Sequence, residues 1–278
     1  MEFWELDIYR RPLVDQNNQT LWELLVCTSQ GEVRLAQLIP AAQVKAGWIE
    51  DQLRELIQTS GAAPSRLRVF RAASYNLAAP ACHALDIPLE RTGRAIAIQR
   101  WLLHRERSIY PARPGYCPPS VPLAVQRPVP QPLPDQLLPQ RWGFSALPAR
   151  ELELLQELTI PHGEIPLVRE QWDDWLWLQT VPGLFLFTHN PAPLIGWLEE
   201  KGPVALSFIE AELNAILLET DTQERWVLAT FSDPPMQAAG QQFTARQEHL
   251  QGLHFLAIQP SEDSEDLAAF WLLQASFT

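Results

Sequence analysis

Carboxylates are the first side chains in this 278-residue chain that could do chemistry. Asp7 lies in an alternating run, Trp4-Glu5-Leu6-Asp7-Ile8-Tyr9, and Glu50, Asp51 and Glu55 cluster farther along. Acids that converge can hold divalent metals, which clamp the attacking and leaving oxygens of a phosphodiester. A metal-dependent nuclease using Asp7 with Glu50, Asp51 or Glu55 is therefore one reading. The histidines, at 83, 104, 162, 189, 249 and 254, show no H-E-x-x-H spacing, and there is no nucleophile elbow or phosphate-cradling glycine loop. Cys27, Cys82 and Cys117 stand too far apart for a finger-type zinc site or a disulfide framework, and Cys27 reads as a small buried hydrophobe. No metal or cofactor is expected.

Arginine offers a different chemistry. Lys45 and Lys201 are the only lysines among 21 basic residues. The planar guanidinium fork suits phosphate and stacks on flat rings, which an ammonium does not. Arg66, Arg68 and Arg71 fall close together, followed by Arg91, Arg94, Arg100, Arg105 and Arg107, with Tyr75, Trp101 and Tyr110 interspersed. Cations interleaved with aromatics fit single-stranded nucleic acid, phosphates pairing with guanidinium while bases stack. A solvated face with ion pairs to Glu90 and Glu106 is the plainer alternative.

Local patterning assigns these groups to elements. Phe3–Arg11 and Leu21–Thr28 flank a polar Asp/Asn turn as a β-hairpin, with Trp4, Leu6 and Ile8 on one face and Glu5, Asp7 and Tyr9 on the other. A third strand follows at Val33–Ile39. Ile49, Leu53, Leu56 and Ile57 form the apolar stripe of a helix ended by Gly61 and Pro64. Then come a strand at Leu67–Ala72, a helix in Asn76–Leu85, a short strand near Ile87–Leu89 and a helix about Ala95–Glu106. Order β-β-β-α-β-α is that of ribonuclease-H-like folds, a mixed sheet for residues 1–110. Such a fold takes its third metal-binding acid from the end of the fourth strand. Arg71 occupies that neighbourhood and no acid follows until Asp86. The reading is a fold without the metal site, with Asp7 an exposed strand residue paired to an arginine, and a protein that is not an enzyme.

Ten prolines between 111 and 139 exclude a helix interior or central strand there, so residues 111–141 read as a linker or strap. From 142 to 278 an α+β domain is expected: a helix at Pro148–Leu158, a buried strand at Gly183–Phe187, a hairpin of Asn214–Glu219 and Arg225–Phe231, a helix at Pro235–Leu250, a strand at Leu253–Gln259 and a final helix at Asp263–Gln274. Charge divides along the same line. Residues 1–114 hold 14 basic against 12 acidic groups, residues 115–278 only 7 against 21, for a net −12. No apolar run reaches the length of a membrane helix, and the opening residues lack a secretory pattern, so the expected location is cytoplasmic.

Three stretches carry a family likeness. Trp4-Glu5-Leu6-Asp7 with Leu21-Trp22-Glu23-Leu24-Leu25-Val26-Cys27, then Arg68-Val69-Phe70-Arg71 with Arg91-Thr92 and Trp101-Leu102, then Trp226-Val227-Leu228-Ala229-Thr230-Phe231 with Phe270-Trp271-Leu272-Leu273, resemble the signatures of the Tab2/Atab2 family in order. The resemblance implies binding of RNA, single-stranded and A/U-rich, by a factor supporting translation and biogenesis of photosystem proteins, as in a cyanobacterial member. Translation or assembly factors are the implied protein partners. It also implies an RNA-binding role for Trp271, Leu272 and Leu273, although such a run equally suits docking into the protein's own core. A factor for photosystem assembly that contacts only proteins, through the acidic second domain, is the remaining alternative.

Overall fold

A computed structural model describes residues 2–118, 128–157, 160, 174–221, 224–264 and 266–275. The chain forms two compact units, divided between residues 126 and 127. Among the described residues no helix is long and apolar enough to cross a membrane.

The first unit is a five-stranded sheet of order β3-β2-β1-β4-β5, formed by β1 (Trp4–Val14), β2 (Thr20–Thr28), β3 (Val33–Pro40), β4 (Leu67–Val69) and β5 (Leu89–Arg91). The first three strands pair antiparallel, and β4 and β5 extend β1 in parallel. That is the ribonuclease-H-like arrangement expected from the element order. The helices α1 (Ala46–Ser60), α2 (Ala72–Ala84) and α3 (Ile96–His104) connect and cover it. Ile49, Leu53 and Leu56 of α1, with Ala78, Ala81 and Cys82 of α2, pack on Trp4, Leu6 and Ile8. Burying one such large side chain contributes about 1.5–3 kcal/mol. Gly61 closes α1 in the left-handed conformation at φ 75°, its amide donating to Ile57, the usual role of a residue without Cβ.

The opposite face is also covered. Ile98 and Leu102 of α3, with Ala95, pack on Leu25, Cys27 and Phe70. Glu5 and Asp7 are buried beneath this layer. Alternation along β1 points to a solvated polar face and an exposed Asp7; a helix closes over it instead. The helix α2 starts at Ala72 rather than Asn76, and β4 stops at Val69, leaving Arg71 as the N-cap of α2.

The two ends of the proline-rich stretch are built into the units. Gly115 and Cys117 exchange backbone hydrogen bonds with Val14 and Pro12 at the end of β1. In the second unit β6 (Gln131–Pro132) pairs with β11 (Arg225–Phe231), and Leu133 and Leu137 enter its core. Residues 119–127 of the expected strap lie outside the described residues.

Two four-stranded sheets make up the second unit. One has the order β6-β11-β10-β9, with β9 at Pro203–Ile209 and β10 at Asn214–Thr220; the other has the order β13-β12-β8-β7, from β7 (Arg141–Pro148), β8 (Thr180–Phe187), β12 (Leu253–Gln259) and β13 (Ala269–Gln274). A 3-10 helix runs over Ala149–Glu157 in place of the expected helix to Leu158; Leu158 is outside the described residues. The helices are α4 (Asp174–Trp177), α5 (Ala192–Lys201) and α6 (Pro234–His249). Asp233 caps α6, its carboxylate accepting from the Met236 amide at 3.1 Å. Gly183 lies opposite Phe255 across β8 and β12, and a Cβ there would come within 2.4 Å of the ring.

The final helix expected at Asp263–Gln274 is instead the strand β13. An unbroken apolar run carries no period that separates a buried strand from a buried helix. Its pairing with β12 is antiparallel, Trp271 opposite Leu256. Side chains then alternate: Trp271 and Leu273 enter the core between the sheets, while Phe270 and Leu272 join the cluster on the other face.

Candidate nucleic-acid interface

The α3 face of the first sheet carries its charge in three linked groups, each set by strand register. Glu5 opposes Arg68 across β1 and β4, and Arg68 opposes Glu90 across β4 and β5. Arg68 donates to Glu90 at 3.0 Å, Arg66 approaches the same carboxylate at 3.6 Å, and both guanidiniums lie against the Phe3 ring, at 5.6 Å for Arg66 and 4.4 Å for Arg68. Glu5 accepts from the Ile98 amide in the first turn of α3 at 2.8 Å. Burial pushes its carboxyl up to about 7, against the opposing pull of that amide and of Arg68 and Arg100. Burial also lowers the pKa of Arg100, which Glu5 partly offsets.

Asp7 anchors the second group. Its carboxylate pairs with Arg11 at 2.8 Å and Arg71 at 3.2 Å and accepts from the Ser74 hydroxyl at 2.9 Å. The Arg71 guanidinium lies over Tyr9 at 4.6 Å and Phe70 at 4.7 Å. Glu23 anchors the third, binding Arg11 at 3.2 Å, the Tyr110 hydroxyl at 2.5 Å and Arg105. Arg105 in turn lies over Trp101 at 4.7 Å. Arginine is the residue type for such shared, planar pairing, so much of the arginine bias serves the fold.

The arginines selected from sequence divide accordingly. Arg68 and Arg105 are buried, with partners, and present no open surface. Arg71, Arg94, Arg100 and Trp101 are half-buried, while Arg66 and Arg91 are exposed. Arg66 and Arg68 share a side, as expected, whereas Arg91 opposes Val69 and faces the other way on the edge strand β5. The exposed cations thus form a rim around β5 rather than one flat patch. Trp271, Leu272 and Leu273 are at most 3 % exposed, so these side chains offer no open ring or edge to a base. The docking alternative describes where they sit.

The acids considered for a metal site do not come together. Asp7 sits on the α3 face, bonded to two guanidiniums and a hydroxyl. The helix α1 packs on the other face, where Glu50 pairs with Arg54 at 2.5 Å and Asp51 and Glu55 are exposed. Two fixed cations beside Asp7 oppose a divalent ion at that carboxylate. Among the described residues no cluster of His, Cys, Asp or Glu is placed to hold a metal.

Sequence reasoning passes over Tyr9, Arg10, Arg11 and Trp22 as site residues. The ring of Tyr9 lies 5.8 Å from Trp22, and the exposed Arg10 stands over Tyr9 at 5.7 Å. The signal is present as Tyr9-Arg10-Arg11 in one strand.

Comparison with known proteins covers nearly all of the chain. Residues 3–105 match the family model described as RNA-binding protein Tab2/Atab2 N terminal, and residues 120–274 match that of the RNA-binding protein Tab2/Atab2 C-terminal domain. A chloroplastic TAB2 homolog from Arabidopsis thaliana is 28% identical over 284 residues, spanning 97% of this chain and 74% of the relative. The chloroplastic TAB2 homolog from Zea mays is 27% identical over 281 residues, spanning 97% and 70%. A chain in the simian T-cell lymphotropic virus intasome, in complex with PP2A regulatory subunit B56 gamma, aligns over 40% of this chain and 43% of its own at 16% identity. Its TM-score of 0.28 is too low to bear on fold or function. With both halves matched in order, the chain belongs to the Tab2/Atab2 family of RNA-binding proteins.

Proposed function

We propose that this protein binds single-stranded, A/U-rich RNA and acts without catalysis in the translation and biogenesis of photosystem proteins, in the cytoplasm. Family membership supports the RNA partner, and the chloroplastic TAB2 homologs support the photosynthetic setting. The observation that carries the reading is the set of guanidiniums at Arg66, Arg91, Arg94 and Arg100 around β5 and the start of α3, on a chain whose net charge is −12. A local cluster of cations attracts a polyanion where the whole molecule would repel it. Arg68 holds Glu90 of β5 beneath this rim, whereas Arg105 and Trp101 lie with Glu23 of β2. Leu272, Leu273 and Trp271 act on RNA, in this reading, only by maintaining the second unit.

The test is binding of a labelled A/U-rich single strand across a salt series. Replacing Arg66, Arg91 and Arg94 together with glutamine should lower affinity at low salt. It should also flatten the salt dependence by about 0.7 for each phosphate left without its guanidinium. Equal affinity for wild type and variant would remove the rim from the reading. Exposed Leu154, Trp175 and Leu178 favour a second reading, a protein-interaction surface on the second unit. Partners retained in a pull-down after nuclease treatment, without RNA binding by the purified chain, would support it.

A further inference from the structure

We infer that the Arg10–Tyr9–Arg71 corner, in the middle of β1 and beyond the end of β4, is a metal-independent contact for the phosphate and base of single-stranded RNA. The inference rests on the RNA-binding reading and adds a site outside the β5 rim.

Charge distinguishes this corner from the Phe3 end. Around Phe3 the two guanidiniums of Arg66 and Arg68 share Glu90, and Arg68 is buried. Around Tyr9 the guanidiniums of Arg10 and Arg71 stand against one ring, at 5.7 and 4.6 Å. Asp7 is shared between Arg71 and the buried Arg11, and Glu23, opposite Tyr9 on β2, between Arg11 and Arg105. Among these described groups four guanidiniums, Arg10, Arg11, Arg71 and Arg105, stand against the two carboxylates, which leaves the corner cationic. Arg10 is exposed and stands against the Tyr9 ring.

Shape agrees with charge. Arg71 is held on three sides, by Asp7, Tyr9 and Phe70. Its guanidinium therefore meets a ligand already oriented, with less side-chain entropy to lose on binding. Tyr9 and Trp22 are half-buried, their rings 5.8 Å apart at an interplanar angle of 56°. A flat ring flanked by cations is the combination that takes a stacked base and its phosphate together. The corner lies where β1 runs past the end of β4, toward the carboxyl ends of these parallel strands. Open sheets with parallel strands commonly bind ligands outside those ends. An acid on the first strand could elsewhere recruit a metal to meet phosphate. Here Asp7 is occupied by guanidinium, and the fixed cation meets the phosphate directly.

The experiment uses the full chain, a fluorescent A/U-rich RNA oligonucleotide and low salt, with and without EDTA. Arg10→Gln and Tyr9→Leu alter side chains outside the buried cores, and circular dichroism checks that they fold. Each should weaken binding by about 3- to 10-fold, and Arg10→Gln should reduce the salt slope by about 0.7. Arg54→Gln, on α1, serves as the control of equal charge change. Ultraviolet crosslinking should attach RNA to the peptide that contains Tyr9. Wild-type binding that survives both substitutions unchanged would overturn this corner and leave RNA binding by the rim intact. Binding abolished by EDTA would overturn the direct guanidinium contact. No RNA binding by the wild-type chain would overturn both this site and the RNA-binding reading.

Discussion

The two faces of the first sheet are both covered by apolar side chains, but only the α3 face adds buried ion pairs to them. Toward α1 and α2, Trp4, Leu6 and Ile8 meet apolar side chains. Toward α3 and the segment after it, Glu5, Asp7 and Glu23 meet Arg68, Arg71, Arg11 and Arg105. Apolar burial is non-directional and tolerates exchange of similar volumes. A buried ionic group is different, because removing one partner leaves the other charge without compensation. The first face should therefore respond to substitution by size, and the second by charge and pH.

The largest expected effect is at Glu23, which serves Arg11, Arg105 and Tyr110 at once. Glu23→Ala should cost about 3–5 kcal/mol in urea denaturation, with buried Arg105 losing this acid and Arg11 left with Asp7 alone. On the apolar face Leu6→Ala should cost about 2–5 kcal/mol, and Leu6→Met less than about 1.5 kcal/mol. A tolerated Glu23→Ala would erase the contrast between the faces.

Titration sharpens it. Glu5 is raised to about 7, so between the ordinary carboxyl range and pH 7 the folded chain holds a proton that the unfolded chain has lost. Its contribution is full at acid pH and is lost as pH rises through about 7, by at most about 3 kcal/mol. The second unit should show the reverse. His254 is fully buried, its Nε2 accepting from the Leu206 amide at 2.8 Å and its Nδ1 donating to the Gly252 carbonyl at 2.7 Å. Burial lowers its pKa to about 4, so its contribution is full above the usual histidine range and falls as pH drops toward 4. Thermal unfolding of Glu5→Gln and His254→Gln between pH 4 and 8 should flatten opposite limbs of the profile. The smallest effect is expected on the surface, where Glu50→Gln breaks the α1 pair with Arg54 for about 0.3–0.5 kcal/mol.

The sequence made the apolar face legible and the ionic face hard to see. Periodicity located α1, and it placed β12 at Leu253–Gln259, the span observed. Alternation along β1 assigned the faces but not their solvation, since nothing local announces that α3 will cover Glu5 and Asp7. For the same reason Arg68 and Arg105 read as surface cations although each is buried against an acid distant in sequence. β7, α5 and β9 were not anticipated. Gly143 interrupts the first, and Pro193 and Gly196 weaken a helical pattern in the second. The apolar run at Ala269–Leu273 showed burial, while its strand geometry comes from pairing with β12.

The placement of the thiols has a practical consequence. Cys82 lies in the cluster under α1 and α2, and Cys27 lies in the cluster under α3. Burial raises both pKa values, Cys82 to about 11, which suppresses the reactive thiolate, while Cys117 is exposed. With Cys117 blocked first, a thiol reagent would report on each layer separately: modification of Cys82 would record departure of one pair of helices, and modification of Cys27 departure of the other cover. The native chain thus carries one built-in label for each side of its sheet, and their relative rates would show which side opens first.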